Sequence, residues 1–226
     1  MNKVISIRAF RAVDEPHTCE LFYEGHVNVL RSYGVEPISS AKKEWFNNPQ
    51  VYVVIAQMDD QIVGGAKLHK VGGTQPLPLE EAVGAMDKRV YDLVKRYAPH
   101  TGEGCGLWNS KLVAGMGISY ILSRTVIAMT VMLGVSRMFA FSSDHTLGMF
   151  REFGFHIVRK VGKNGDFEYP SAQYISRILL INTQTLSRAL PYNREVMLSL
   201  RKNPQQRRKE RGPKGELEIE YNLLFS

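Results

Sequence analysis

The stretch Leu107-Trp-Asn-Ser-Lys-Leu-Val-Ala-Gly-Met-Gly-Ile-Ser-Tyr120, followed by an apolar run to Leu133, decides the fold. This pattern predicts a strand end, a turn that contains Gly115 and Gly117, and a long helix. A helix start carries free backbone N–H groups and the positive end of the helix dipole, and glycines let a phosphate approach the backbone. Two interpretations are open. The turn holds the pyrophosphate of a cofactor, or its glycines only shape a tight connection.

Length and composition indicate a globular chain with a sizeable core, because 44% of its 226 residues are apolar. The cysteines Cys19 and Cys105 give neither a disulfide framework nor metal-ligand spacing, so we expect a cytoplasmic protein without a metal. The first ten residues lack the apolar core of a signal peptide. The most apolar helical stretch, 118–133, is too short to cross a bilayer, so no membrane span is predicted.

The positive charge is concentrated near the C-terminus. The net charge is +7, and residues 201–214 alone contain seven Lys or Arg and one Glu, so the rest of the chain is nearly neutral. Such a run is typical of a solvated or disordered face, and this distribution disfavours a nucleic-acid partner.

Hydrophobic periodicity predicts a mixed order of strands and helices. Ser39 or Ser40 is expected to cap a short helix that runs through Phe46. Residues 216–225 fit either a terminal strand or a disordered tail. The predicted strands are 4–13, 51–57, 62–71, 105–107, 135–141, 155–161 and 174–182, and the longer helices are 17–32, 79–98, 118–133 and 145–153.

This order, together with two motifs, resembles the GNAT acyltransferase superfamily over roughly residues 4–182. Val113-Ala-Gly-Met-Gly-Ile118 is similar to the family's acyl-CoA pyrophosphate loop, and Phe150-Arg-Glu-Phe-Gly-Phe155 resembles its Tyr-Glu-Lys-Leu-Gly-Phe segment. The resemblance implies an α/β fold with a central mixed, twisted sheet between helices, in three layers. An extra helix, 79–98, is inserted between the third and fourth strands. The acyltransferase domain is then 1–182, and 183–226 is a C-terminal extension with the basic segment 201–214.

The resemblance also implies acetyl-CoA or another acyl-CoA as the cofactor. The family's loop begins with Arg or Gln, but this chain has Leu112 there, so Lys111 is expected to supply the side-chain contact. Phe150 stands where the family often carries a catalytic Tyr, and a phenyl ring cannot donate a proton. The residues assigned to the pyrophosphate are Lys111, Val113, Ala114, Gly115, Met116, Gly117 and Ile118.

The chemistry implied is transfer of an acyl group from a thioester to an amine of a small molecule or amino acid. It takes place where the strands ending near Leu107 and running over 138–141 splay apart. Glu103 is the candidate base, with a loop carboxylate as the plainer interpretation. His145 and Ser143 are candidate acids at the end of the fifth strand, where an exposed first helical turn is the alternative. Trp108 and Asn109 are candidate substrate contacts.

Two further functions stay open. A long-chain N-acyltransferase, similar to N-acyl amino acid synthases, takes its acyl group from acyl-CoA or from an acidic acyl carrier protein, for which the basic segment offers a positive patch. A catalytically silent module only binds acyl-CoA. The helix 79–98 fits packing within the domain or across a dimer, so monomer and homodimer are both expected possibilities.

Overall fold

The computed structural model describes residues 4–34 and 42–225, and over these residues ten strands form one mixed sheet. The strand order is β6-β8-β5-β4-β3-β2-β1-β10-β9, and β7 pairs with β8. The strands are β1 (Val4–Arg11), β2 (Val51–Met58), β3 (Gln61–Lys70), β4 (Thr101–Asn109), β5 (Arg137–Ser143), β6 (His156–Ile157), β7 (Asp166–Glu168), β8 (Ile175–Asn182), β9 (Gln205–Gly212) and β10 (Gly215–Asn222).

Helices cover both faces of the sheet. Alternation along β2 shows this, because Val53 and Ile55 pack in the cluster that includes α1, whereas Val54 and Ala56 pack in the cluster that includes α4 and α6. The predicted three-layer arrangement is therefore confirmed. The helices are α1 (Pro16–Ser32), α2 (Pro78–Val83), α3 (Arg89–Tyr97), α4 (Ile118–Met129), α5 (Asp144–Glu152) and α6 (Pro191–Lys202).

The inserted segment between β3 and β4 differs from the prediction of one helix over 79–98. It forms two helices, α2 and α3, with a break around Asp87. The Asp87 carboxylate accepts hydrogen bonds from the backbone N–H of Arg89 (3.0 Å) and of Gly162 (2.7 Å), so it caps α3 and ties it to a distant loop. The hydrogen bond from Gly162 to Asp87 stabilises the break between the two helices, although the sequence keeps its helical periodicity through this point.

Other boundaries shift by smaller amounts. The predicted caps Ser39 and Ser40 lie outside the described residues, and 44–47 form a single 3₁₀ turn. Helix α4 ends at Met129 rather than Leu133, and only His156–Ile157 of the predicted strand 155–161 pairs with β8.

The C-terminal basic run is an ordered strand that leaves Arg207, Lys209 and Arg211 exposed, so of the two expected alternatives the solvated face is confirmed and the disordered one is wrong. It forms β9, which pairs with β10, and β10 pairs in parallel with β1. Along the hairpin each exposed basic residue faces an acidic one: Arg207 faces Glu220, Lys209 faces Glu218 and Arg211 faces Glu216. These glutamates offset much of the charge that the sequence concentrates in 201–214.

A buried carboxylate fixes this hairpin to the helices behind it. The Glu210 side chain accepts from the Arg124 guanidinium (2.9 Å), from the Tyr192 hydroxyl (3.0 Å) and from the Tyr221 hydroxyl (3.0 Å). Asn193 accepts a further bond from Arg124 (3.0 Å). These five residues, the Glu210 cluster, join β9 and β10 to α4 and α6.

Candidate functional site

The central feature of the site is a gap between the parallel strands β4 and β5. The two strands pair from Thr101–Arg137 to Gly104–Ala140 and no further. Beyond Gly104, β4 stays paired with β3, while β5 stays paired with β8. The splay expected from the sequence is therefore present, since beyond Gly104 and Ala140 the two strands no longer pair with each other.

A bulge in β4 lies at the start of the gap. Lys67 pairs with Cys105 but Gly65 pairs with Trp108, so β4 carries an extra residue between these positions. Gly106 has a φ of +61°, and a Cβ there would lie 2.8 Å from Cε of Lys67. Only glycine fits this position without displacing Lys67. Because a bulged residue leaves the ladder, its backbone polar groups are available to a bound molecule.

The glycine turn lies where β4 leads into α4. Gly115 and Gly117 have φ values of +75° and +82°, and α4 begins at Ile118. The backbone N–H groups of this first helical turn point out of the helix start, as an anion requires. Leu112 is 67% exposed and Lys111 is also exposed, in the 3₁₀ turn before the glycines.

The C-terminal hairpin reaches this turn, which sequence reasoning missed. A Cβ on Gly115 would lie 2.9 Å from Cε of Lys214, and a Cβ on Gly117 would lie 3.3 Å from Cα of Gly212. The tip of the β9–β10 hairpin therefore packs against the glycine turn, and Lys214 places a cationic side chain beside it.

Glu103 lies on β4 just before the gap. Its side chain is 2% exposed, and its carboxylate accepts the backbone N–H of Leu79, at the start of α2, at 2.7 Å. Burial raises the pKa of Glu103 to about 8, because desolvation penalises the charged carboxylate. The inserted segment, not an exposed loop, thus creates the environment of this group.

Lys67 and His69 of β3 lie beside Glu103, since Lys67 pairs with Cys105 and His69 pairs with Glu103 across the strands. Burial lowers the pKa of Lys67 to about 8 and that of His69 to about 4. Burial also raises the pKa of the Cys105 thiol to about 12, which argues against a nucleophilic thiolate. Sequence reasoning did not single out Lys67, because one lysine in a strand carries no signal of burial.

Trp108 and Asn109 are placed apart from each other. The Trp108 ring is buried under α1, edge-to-face with Phe22 at 5.9 Å between centroids. The Asn109 side chain accepts a hydrogen bond from the Ser119 hydroxyl (2.6 Å), which ties the end of β4 to the first turn of α4. Both residues support the walls of the site, and their contact with a substrate stays a prediction.

Ser143 and His145 lie across the gap from β4. Ser143 is the last residue of β5, and His145 is exposed in the first turn of α5. Phe150, further along α5, packs its ring against Phe155 at 5.1 Å between centroids. The structure therefore places Glu103 on β4 and Ser143 at the end of β5, the two strands that border the gap. The role of Ser143 as an acid stays a prediction.

Two other features bear on the class of protein. Among the described residues, no group of three or more His, Cys, Asp or Glu is arranged to hold a metal ion. Within the same residues, no helix has both the length and the apolar character that crossing a membrane requires.

Comparison with known proteins identifies the fold. No family model and no curated protein matches the sequence. FeeM, an N-acyl amino acid synthase from uncultured soil microbes, has a TM-score of 0.66 at 10% identity, covering 85% of this chain and 98% of its own. MesI, a CoA-dependent acyl-homoserine lactone synthase, has a TM-score of 0.57 at 14% identity, with coverage of 84% and 94%. A GNAT-family acetyltransferase from Staphylococcus aureus has a TM-score of 0.50 at 11% identity, with coverage of 79% and 99%. The chain thus has the GNAT fold.

Proposed function

We propose that this protein is an N-acyltransferase that moves an acyl group, acetyl or another short chain, from acyl-CoA to an amine of a small molecule or amino acid. The observation that carries the proposal is the gap between β4 and β5, with the buried Glu103 at its start and the glycine turn at the end of β4. A thioester arm fits such a gap, and a diphosphate fits the helix start.

Glu103 acts as the base. The incoming amine must lose a proton to become a nucleophile, and the ionised form of Glu103, whose fraction rises as the pH approaches its pKa of about 8, accepts that proton directly or through one water. The amine nitrogen then bonds to the thioester carbon, the C–S bond breaks, and the thiolate takes up a proton. Backbone N–H groups of the bulge at Gly106 polarise the carbonyl oxygen.

Ser143 and His145 are the candidates for returning that proton. Phe150 is not, since its ring has no ionisable group and is packed in the core. The nucleotide end of the cofactor lies on the turn, with backbone contacts from Val113 to Ile118 and with Lys111 and Lys214 as nearby cations.

Thermal shift with CoA, acetyl-CoA and a long-chain acyl-CoA tests donor binding. Release of free CoA thiol from each thioester, with a panel of amines and amino acids, tests turnover. We expect stabilisation by CoA and thiol release with at least one amine. Stabilisation without any thiol release points instead to a catalytically silent acyl-CoA-binding module, and no stabilisation rejects the proposal.

Long-chain N-acyl transfer is the second candidate, favoured by the fold likeness to two synthases of N-acyl products. The basic segment no longer supports an acyl carrier protein as the donor, because the glutamates of β10 face the basic residues of β9 and offset the positive patch. Faster turnover of a long-chain acyl-CoA than of acetyl-CoA would select this candidate.

A further inference from the structure

A narrow cavity of about 30 Å³ opens on the α1 and α2 side of the sheet, one strand away from the gap. Inside it lie side chains that are almost fully buried: Trp45, Lys67, His69 and Pro78. The volume exceeds what one water molecule needs, so the cavity admits a small polar group such as a carboxylate but not a whole amino acid.

Lys67 is the positive charge inside this cavity. It is 2% exposed, and its ammonium lies 3.9 Å from the centroid of the Trp45 ring. With a pKa of about 8 it still holds its proton at pH 7. His69 adds no charge there, because burial lowers its pKa to about 4. Its Nε2 lies within hydrogen-bond distance of the Asn48 side-chain amide, at 3.0 Å.

Trp45 contributes a hydrogen-bond donor. Its indole N–H is buried, and no acceptor for it exists among the described residues. A buried donor without an acceptor is costly, and since Trp45 lines the cavity, an anionic oxygen bound there would supply the missing acceptor. The cavity thus combines one buried cation with one unused donor.

The mouth of the cavity carries both signs of charge. Lys42 and Glu81 form an ion pair there at 2.8 Å, and Glu44 is exposed beside them. The acidic groups therefore stay at the entrance, whereas Lys67 is the charge at depth.

We propose that this cavity binds the carboxylate of the acceptor, so that the acceptor is an amino acid rather than a simple amine. This inference rests on the proposed function and names the substrate class of the same site. Lys67 pairs with Cys105, the first β4 residue beyond the last pair with β5. A carboxylate held by Lys67 therefore leaves the α-amino group on the side of β4 where Glu103 and the gap lie.

Isothermal titration of the full chain, saturated with CoA, tests the inference. The probes are the twenty protein amino acids, and the affinity of each is compared with that of the corresponding amine that lacks the carboxylate. We expect at least one amino acid to bind 10- to 100-fold more tightly than its amine, as a charged hydrogen bond implies. Lys67→Met should remove this preference and leave the amine's affinity unchanged. Lys70→Met, on the same strand, is the matched control and should keep the preference.

Either of two results overturns the inference: no amino acid binds more tightly than its amine, or Lys67→Met keeps the preference. Lys67→Gln takes the place of Lys67→Met if the methionine variant does not fold. Because titration needs no thioester, the inference and the proposed function fail separately. A Lys67-dependent preference without thiol release leaves the carboxylate site in place and rejects the transferase.

Discussion

Two buried charged regions of this molecule behave in opposite ways. In the Glu210 cluster, a carboxylate and a guanidinium meet at 2.9 Å, and two tyrosine hydroxyls and the Arg208 guanidinium also contact Glu210. Around Glu103 and Lys67, two equally buried ionisable groups lie on neighbouring strands beside a gap and a cavity. In the first region the buried charges neutralise each other within the fold, whereas in the second the buried groups border the space that we propose for the substrate.

The largest expected effect comes from breaking the first region. Glu210→Ala leaves Arg124 buried without its carboxylate, so we expect a loss of about 3 to 5 kcal/mol in the free energy of unfolding, measured by urea denaturation. Arg124→Met combined with Glu210→Leu should recover most of it. The matched control is Glu218→Ala on the exposed face of β10, with a change within about 0.5 kcal/mol. Equal losses of stability for Glu210→Ala and Glu218→Ala would contradict a special role for Glu210.

In the second region the expected loss is catalytic. Glu103→Gln keeps the size and an acceptor for the Leu79 N–H but removes the base, so kcat/KM should fall by about 10² to 10⁴. In the wild-type protein kcat/KM should rise with pH up to about 8, where Glu103 loses its proton, and this rise should vanish in the variant. Asp92→Asn, on the exposed side of α3, is the control. A wild-type pH profile in Glu103→Gln would assign the base elsewhere.

The same carboxyl predicts how stability changes with pH. Folded Glu103 keeps its proton up to pH about 8, whereas the usual value is 4.5, so the folded state binds more protons between these values. The contribution of Glu103 to stability should therefore be greatest below pH 4.5 and fall as pH rises towards 8. Glu103→Gln should remove this fall, worth on the order of 3 kcal/mol, in urea titrations at pH 5 and pH 8. A constant difference between variant and wild type would show that Glu103 is ionised throughout.

The smallest predicted effect lies where the two regions meet. The hairpin that Glu210 anchors brings Lys214 onto Gly115. Lys214→Ala should weaken CoA binding about 5- to 10-fold and leave pantetheine binding unchanged, because an exposed cation adds a modest charge interaction with phosphate. Lys209→Ala, on the same hairpin but facing Glu218, is the control for titration. Tighter CoA binding by Lys214→Ala would instead show that the hairpin tip obstructs the turn.

The sequence predicts best what is local. The run from β4 through the glycine turn to α4 and β5 is contiguous, so its periodicity and its glycines identify each element, although β4 is Thr101–Asn109 rather than the predicted 105–107. The gap followed from the resemblance, and the pairing of β4 with β5 confirms it. The same resemblance identified Glu103 as a candidate base. Its burial could not be predicted, because it depends on α2, a helix of the inserted segment that packs over the carboxylate.

What the sequence could not show depends on distant partners. Arg124 lies in an apolar helix, and its partner Glu210 is 86 residues further on, inside a run that looks like a solvated basic tail. The charge of that run was misleading because β10 supplies facing glutamates only after the hairpin has formed. Lys67 is similar, since only the packing of Trp45 against it makes it a buried cation.

The parallel pairing of β10 with β1 has a consequence for how the chain is made. Residues 4–8 emerge from the ribosome more than 200 residues before their neighbours 218–222. Until then one side of β1 lacks the β10 strand beside it, and Arg124 has no carboxylate. The core of this fold therefore stays unfinished until the β9–β10 hairpin has emerged. A ribosome stalled before residue 205 should hold a protease-sensitive chain, and one stalled well beyond residue 222 should hold a resistant chain.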